Sequence, residues 1–483
     1  MTKFNLVLAS ILIFFLVGCG NESENIDSQL SGLIDENNLT GDPSEGRDIP
    51  SISSDKAQLG MKLFFTKSLG GDLDSACVTC HHPMLGGGDN LSMSIGVGAI
   101  SPELLGEGRV HDALSEGHDN GYAPVPRNAP STFNVALWDK ILFWDGRVES
   151  LDPEVGENGE VGGIRTPDSS FGFEDYYAGA NLAVAQARFP VTSNEEMRGF
   201  TFEAAQSNEE VRTHLAQRLN DDTKLDYIAN TWESEFQSVY GANQITFATI
   251  ADAIGEYERS QLFINTPWKA YVEGDVNALG EDAKRGAKLF FSSYENGGMN
   301  CVACHSGDFF TDEDFHVMAI PQVGRGKGDG VDDDYGRMRE NSVATQKYAF
   351  RTPTLLNVEM TGPWGHDGAY TSLKAVVEHM TDPDTAVRGY DFSQLDAMVK
   401  TTNTLANTQN ALDQLNANRD AGVSPHKSTL ATAGQIDDLV AFLESLTDPC
   451  VKDRACMGQW IPENVSGVDS LQLNALDQDS NLL

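Results

Sequence analysis

The chain has 483 residues, and its 72 Asp+Glu against 33 Lys+Arg give a formal net charge of −39. So acidic a surface excludes nucleic acid, whose phosphates need a basic face, and argues against docking on anionic lipid headgroups. Hydrophobic residues at 40% suffice for buried cores, and the length suits roughly two or three domains.

The first element is an export signal. Lys3 precedes an apolar run from Phe4 to Val17 that ends Leu16-Val17-Gly18-Cys19. A short basic region, an apolar stretch and small residues at the cut site read as a secretory signal over residues 1–18. A cysteine at that cut resembles the bacterial lipobox, in which Cys19 is lipidated and becomes the mature N-terminus. Gly20 is not the Asp that commonly retains lipoproteins in the inner membrane, so the expected location is the periplasm, anchored to the outer membrane. Residues 19–50, rich in Asn, Ser, Asp and Glu, read as a flexible tether.

An internal repeat follows. Residues 59–81 read LGMKLFFTKSLGGDLDSACVTCH, and residues 285–305 read RGAKLFFSSYENGGMNCVACH. Two copies of G-x-K-L-F-F, each followed by a polar loop and C-x-x-C-H, indicate a tandem pair of related domains. C-x-x-C-H is the attachment signature of c-type haem. Its spacing follows from the chemistry: Cys77 and Cys80, or Cys301 and Cys304, form thioethers with the two vinyl groups. The adjacent His81 or His305 then coordinates iron from the proximal face. A zinc half-site or redox dithiol is the plainer reading of one C-x-x-C, but both copies end in His and lie in repeated surroundings. Cys450 and Cys456, close together near the C-terminus, are expected to form a local disulfide in an oxidising compartment.

Helices dominate the periodicity. Phe247, Ile250, Ala251, Ile254 and Tyr257 fall on one helical face, as do Ile436, Leu439, Val440 and Leu443, with Pro449 just beyond. The expected fold is mainly α, two tandem cytochrome-c-like haem domains with little sheet. Their expected spans are residues 51–262 and 263–447, with a C-terminal tail over 448–483.

Six ordered blocks carry a resemblance over residues 55–447. They are CVTCHHPMLGGGDN with SIG at 94–96, RNAPSTFN at 127–134, FWDGR at 143–147, FPVTSNEEM at 189–197, CVACH, and FRTPTLLNVEMTGPWGHDG at 350–368. On these the sequence resembles the bacterial di-haem cytochrome c peroxidase family, which includes the MauG-type enzymes. The resemblance implies that the first haem domain is peroxidatic and the second transfers electrons. Met380, following His366-Asp367-Gly368, matches the sixth ligand of the second haem, where MauG-type enzymes carry Tyr. His379 beside it points about 100° away on a helix and is expected at the surface or behind the ligands. Glu196 matches the acid–base residue of the peroxide pocket, with Gln186 its neighbour, while Glu195 is expected to be solvated. Trp144 matches the tryptophan between the haems. Asn128, with the carbonyls of Thr361 and Pro363, matches an inter-domain calcium site. The acidic stretch 329–334 fits no EF-hand loop and reads as solvated.

One departure stands out. Many family members carry a distal His directly after S-I-G, and this chain has Val97, which cannot bind iron. Either the first haem is five-coordinate and open to peroxide, or His111 or His118 replaces the ligand; the open site is favoured. The expected function is a periplasmic peroxidase that reduces H2O2 with electrons from a small redox protein, a cytochrome c or a cupredoxin. The alternatives are a MauG-like oxidase acting on Trp or Tyr of a partner protein, and a non-enzymatic di-haem electron carrier. The resemblance also implies two covalent haems, one Ca2+ and a homodimer. The segment 151–182 is longer than expected between its flanking blocks and either covers the peroxide channel or meets a partner.

Overall fold

The two copies of G-x-K-L-F-F become the helices Asp55–Phe65 and Glu281–Phe291. The first starts cleanly because the Ser54 hydroxyl accepts from the Ala57 amide, and Asp55 complements the positive end of the helix dipole. Asp55–Phe65 packs on the helix Phe247–Arg259, and Glu281–Phe291 packs on Ala433–Glu444. In each pair the repeat glycine is the point of contact. A Cβ on Gly60 would lie 1.8 Å from the Ala253 carbonyl oxygen, and one on Gly286 would lie 1.9 Å from that of Asp438. Only hydrogen fits at either crossing.

The computed structural model describes residues 25–115, 117, 122–220, 230–242, 244–463 and 468–483. The signal segment, Cys19 and His118 lie outside them. The described chain is mostly helical, with a three-stranded antiparallel sheet (Ile141–Leu142, Val148–Ser150, Ile164–Arg165) and a two-stranded one (Phe315–Val317, Ala349–Arg351). No described helix is long and apolar enough to cross a membrane.

The phenylalanines of the two repeats seed two cores. Phe64 lies 5.0 Å from the Tyr257 ring in one, and Phe290 and Phe291 pack with Phe310 and Phe442 in the other. The faces expected from periodicity are buried: Phe247, Ile250, Ala251, Ile254 and Tyr257 in the first, and Ile436, Leu439 and Leu443 in the second. A further pair of equivalent turns links the cores. Asn134 and Asn357 both adopt a left-handed backbone, and both side-chain amides donate to the Phe263 carbonyl, at 3.2 and 2.9 Å.

Two expectations about the ends of the chain are corrected. Residues 25–50 are no flexible tether. Ile26–Glu36 is a helix capped by Asn25, with Leu30 fully buried and Ile26, Leu33 and Ile34 against the second core. Lys284 and Tyr271 hold Asp27, while Arg47 makes a bidentate pair with Asp139. The polar composition masked four apolar residues at helical spacing. The segment after residue 447 is likewise more than a tail: Trp460, Ile461, Val468, Leu473 and Ala475 complete the first core, and the Tyr257 hydroxyl donates to the Trp460 carbonyl. Cys450 and Cys456 are joined in a disulfide.

Gly60→Ala and Gly286→Ala are each expected to destabilise the protein by about 1–3 kcal/mol or more, because the new methyl group meets backbone that cannot yield. Gly32→Ala, inside a helix with nothing within 4 Å of the added carbon, is expected to be neutral or stabilising by up to about 1 kcal/mol. Thermal unfolding of the three variants checks the contrast.

Candidate haem sites and the seam between them

Both C-x-x-C-H motifs sit on short 3₁₀ turns, Cys77–Thr79 and Cys301–Ala303, that open into cavities. The four thiols are unpaired and half-buried. Each histidine is aimed the same way. His81 Nδ1 lies 3.1 Å from the Gly87 carbonyl, with the Pro130 carbonyl also beside it; His305 Nδ1 lies 3.0 Å from the Phe310 carbonyl, with Pro353 alongside. Carbonyl acceptors put the proton on Nδ1 and leave Nε2 bare to coordinate, the usual outer-shell arrangement of a ligating imidazole.

Cys77, Cys80, His81, Trp144, Gln186 and Glu196 line the first cavity together. Glu196 lies on a π-helical turn, Asn194–Arg198, of a kind often found at functional sites. Burial lifts its carboxyl above the usual range, while Arg147 and Lys327 pull the other way. Lys327, from the loop after the second C-x-x-C-H, lines the same cavity, and burial beside Arg147 and Arg127 pushes its ammonium down to about 8. Glu258 lines it too; burial raises its carboxyl to about 8 and leaves one oxygen unpartnered. Among the described residues His81 is the one histidine on this cavity's wall. His111 is buried elsewhere, against Ser115 at 3.1 Å. The Val97 amide donates to the Glu195 carbonyl at 3.3 Å.

The second cavity is lined by Cys301, Cys304, His305, Thr361, Pro363 and Met380. Leu373, Val376, Val377 and Met380 face it from the helix Leu373–Thr381, the face expected from spacing, and His426 Nε2 lies 2.8 Å from the Met380 carbonyl. Arg351 lines this cavity buried, its guanidinium 3.6 Å from the Trp138 ring and its Nε and one terminal nitrogen without a hydrogen bond, and burial lowers it to about 9. A buried cation with two nitrogens free of hydrogen bonds, beside two thiols and an aimed imidazole, fits a macrocycle that carries carboxylates.

Four residues line both cavities: Asn128, Ala129, Pro130 and Trp144. The Trp144 indole donates to the Asn128 carbonyl at 2.9 Å, and its own carbonyl accepts from the Arg351 amide at 2.9 Å. The Asn128 side-chain amide donates to the carbonyls of Leu91 and Ser92, which turns its oxygen the other way.

Comparison with known proteins agrees with this layout. Residues 54–277 match the model of the di-haem cytochrome c peroxidase family. The chain is 28% identical over 331 residues to methylamine utilization protein MauG of Methylorubrum extorquens, covering 68% of this chain and 69% of that one. It is 26% identical over 328 residues to cytochrome c551 peroxidase of Nitrosomonas europaea, covering 68% and 73%. The chain belongs to the bacterial di-haem cytochrome c peroxidase/MauG family. Membership implies two c-type haems and a peroxidase-type oxidoreductase. In fold, this family member resembles the diheme peroxidase BthA of Burkholderia thailandensis, with TM-score 0.52, 18% identity, and coverage of 89% of this chain and 92% of that one.

Two expectations about side chains change and one is narrowed. Of the two positions open to His379 the surface is excluded, since it is fully buried between the Tyr370 hydroxyl at 2.7 Å and the Met318 carbonyl at 2.8 Å. Glu195 is not solvated but ion-paired to Arg325. The acidic stretch is paired throughout its buried part: Asp334 holds Arg127, Asp333 accepts from Tyr348, and Asp332 holds Lys400. Sequence reading assigned no role to Arg147, Glu258, Lys327 or Arg351. The arginines stood in plain view within FWDGR and FRTP; no motif marked Lys327 or Glu258.

Arg351→Met is expected to lower the midpoint potential of the second haem and leave the first nearly unchanged. Losing a cation favours ferric over ferrous iron, by about 1–2 kcal/mol at a partly screened separation. A spectroelectrochemical titration that resolves the two haems checks this.

Proposed function

We propose that the protein is a peroxidase that reduces H2O2 to water with electrons from a small redox protein such as a cytochrome c or a cupredoxin. One observation carries the reading: Glu196 is half-buried on the wall of the cavity that holds Cys77, Cys80 and His81, a wall that Arg147 and Lys327 share. Haem iron, attached through those thiols and His81, supplies the redox chemistry there. The protein's own residues handle the protons. Glu196 takes the proton from the near oxygen of peroxide and returns it to the far oxygen as that leaves as water. Gln186 shares the wall and orients the substrate, while Arg147 and Lys327 hold Glu196 ionised against its burial.

Cys301, Cys304, His305 and Met380 would hold the second haem, where His/Met ligation raises the potential and suits electron acceptance. Trp144, on both walls, is the route between the two. Asn128, Thr361 and Pro363 share one wall and offer hard oxygens that suit Ca2+. Export through the 1–18 signal and anchoring at Cys19, facing the periplasm, belong to the same proposal.

Low-temperature EPR of the oxidised protein tests the open site. A high-spin ferric signal that disappears on adding H2O2, with turnover of reduced cytochrome c, is the expected result; two low-spin signals with no peroxide response would sink it. Val97 favours a second reading, a MauG-like oxidase, since those enzymes also lack the distal His. Peroxide-driven modification of Trp or Tyr in a partner, without cytochrome turnover, would identify that one.

The acid limb of kcat/KM for H2O2 is expected above the ordinary glutamate range, activity rising as pH climbs through the raised Glu196 value and the base form fills. Lys327→Met moves the limb to higher pH. Glu196→Gln removes the limb and lowers kcat/KM by about 10²–10⁴-fold. A pH–rate series on the three proteins decides it.

A further inference from the structure

Among the described residues, none between 151 and 180 lines either haem cavity. This segment leaves the three-stranded sheet, returns as the strand Ile164–Arg165, and then turns outward. Within seven residues it exposes four aromatic rings: Phe171 at 47%, Phe173 at 69%, Tyr176 at 87% and Tyr177 at 81%. Single exposed apolar side chains are ordinary, but a cluster marks a contact surface, and aromatics are the residues that interfaces favour.

The rings are presented on a fixed frame. Asp175, in their midst, is buried, accepts from the Thr166 hydroxyl and the Tyr177 amide, and pairs with Arg188 at 2.6 Å. Asp152, Glu154, Glu157 and Glu174 of the same segment are also exposed, while its one cation, Arg165, is buried. The exposed surface of the segment therefore combines aromatic rings with carboxylates and carries no exposed cation.

The inner face reaches the seam. The Arg165 guanidinium lies 4.9 Å from the Phe171 ring and donates to the Gly146 carbonyl at 2.6 Å. Arg337 lies 5.5 Å from the same ring and donates to the carbonyls of Asp145 and Gly146. Asp145 and Gly146 directly follow Trp144, which lines both cavities.

The geometry points to the 151–180 segment as the docking and electron-entry surface for a small basic one-electron redox protein, a reading that rests on the peroxidase function proposed above. Lysines around the donor's cofactor edge meet the carboxylates and steer the encounter; its apolar rim meets the aromatic rings. Each docking passes one electron inward and leaves the donor oxidised by one. Two such electrons and two protons convert one H2O2 to two waters.

The test is binding of a basic c-type cytochrome to the intact di-haem protein, by calorimetry at low and physiological salt. One variant carries Phe173→Ala, Tyr176→Ala and Tyr177→Ala; another carries Asp152→Asn, Glu154→Gln, Glu157→Gln and Glu174→Gln. A control neutralises Glu281, Glu295 and Asp437, exposed carboxylates on the half of the molecule that holds the second cavity. Both patch variants should weaken Kd at least tenfold, the carboxylate variant should flatten the salt dependence, and the control should stay within twofold. Peroxide turnover with hydroquinone should be unchanged in all three, which separates docking from damage to the site. Patch variants that bind like wild type, loss in the control instead, or no wild-type binding at all would overturn the proposal. Normal patch-dependent binding without any peroxide turnover would instead overturn the peroxidase reading alone.

Discussion

At Gly60, and again at Gly286, one helix backbone rests on another, and the positions of both cavities follow from those two contacts. A crossing this close leaves no slack for the repeat helix to slide or rotate, because the neighbour at the contact is a carbonyl rather than a side chain. Each repeat helix therefore delivers its C-terminal end, and the C-x-x-C-H turn beyond it, to a set place. The opposite wall is set by the same device used twice. Pro130 and Pro353 bring carbonyls to the two proximal histidines, and the chain that carries them ends in Asn134 and Asn357, which both bind the Phe263 carbonyl. One peptide group in the linker thus references both sites.

The seam is held by charge as well as by apolar contact, such as that of Met93 and Ile95 with Ile320 and Val376. Arg127 is buried between Asp145 and Asp334, and these three come from the 127–130 strip, the Trp144 turn and the acidic loop. Such a cluster adds little net stability over well-packed hydrophobic residues, but removing one partner strands a buried charge at a cost of about 3–5 kcal/mol. What it confers here is registration. The Asn128 amide bonds the His366 carbonyl at 3.0 Å and the Trp144 indole bonds the Asn128 carbonyl, so the indole cannot shift without disturbing both sides.

The helical pairs, the C-x-x-C-H turns and the grouping of Glu196, Gln186 and Trp144 were legible because each rests on local spacing or on an ordered block. The Ile26–Glu36 helix was not, since four apolar residues among polar ones signal a helix only once a core exists to receive them. Lys327 was not legible either: it reaches the first cavity from the loop after the second motif, a contact that no spacing encodes. The kinship of RNAPSTFN with RTPTLLN could have been noticed, as both run Arg, Pro, Asn toward a short turn; its meaning, a carbonyl for each histidine, is a matter of backbone geometry. The pairing of the acidic stretch was hidden for a similar reason, because its partners Arg127, Tyr348 and Lys400 are scattered along the chain.

The change at residue 97 is more than a missing ligand. Gly96 has no room for a side chain, since a Cβ there would lie 2.2 Å from the Glu196 carbonyl oxygen, and the Val97 amide is tied to Glu195 in the next turn. The S-I-G block is thus a backbone clamp on the π-helical turn that presents Glu196. Val97 is buried yet is not among the residues lining the first cavity. Arg325, reaching across from the loop after the second motif, is ion-paired to Glu195, and Lys327 from the same loop adds its charge to the field at Glu196. The turn that presents Glu196 is thus tied, through Arg325 and Glu195, to a loop that belongs to the second half of the chain.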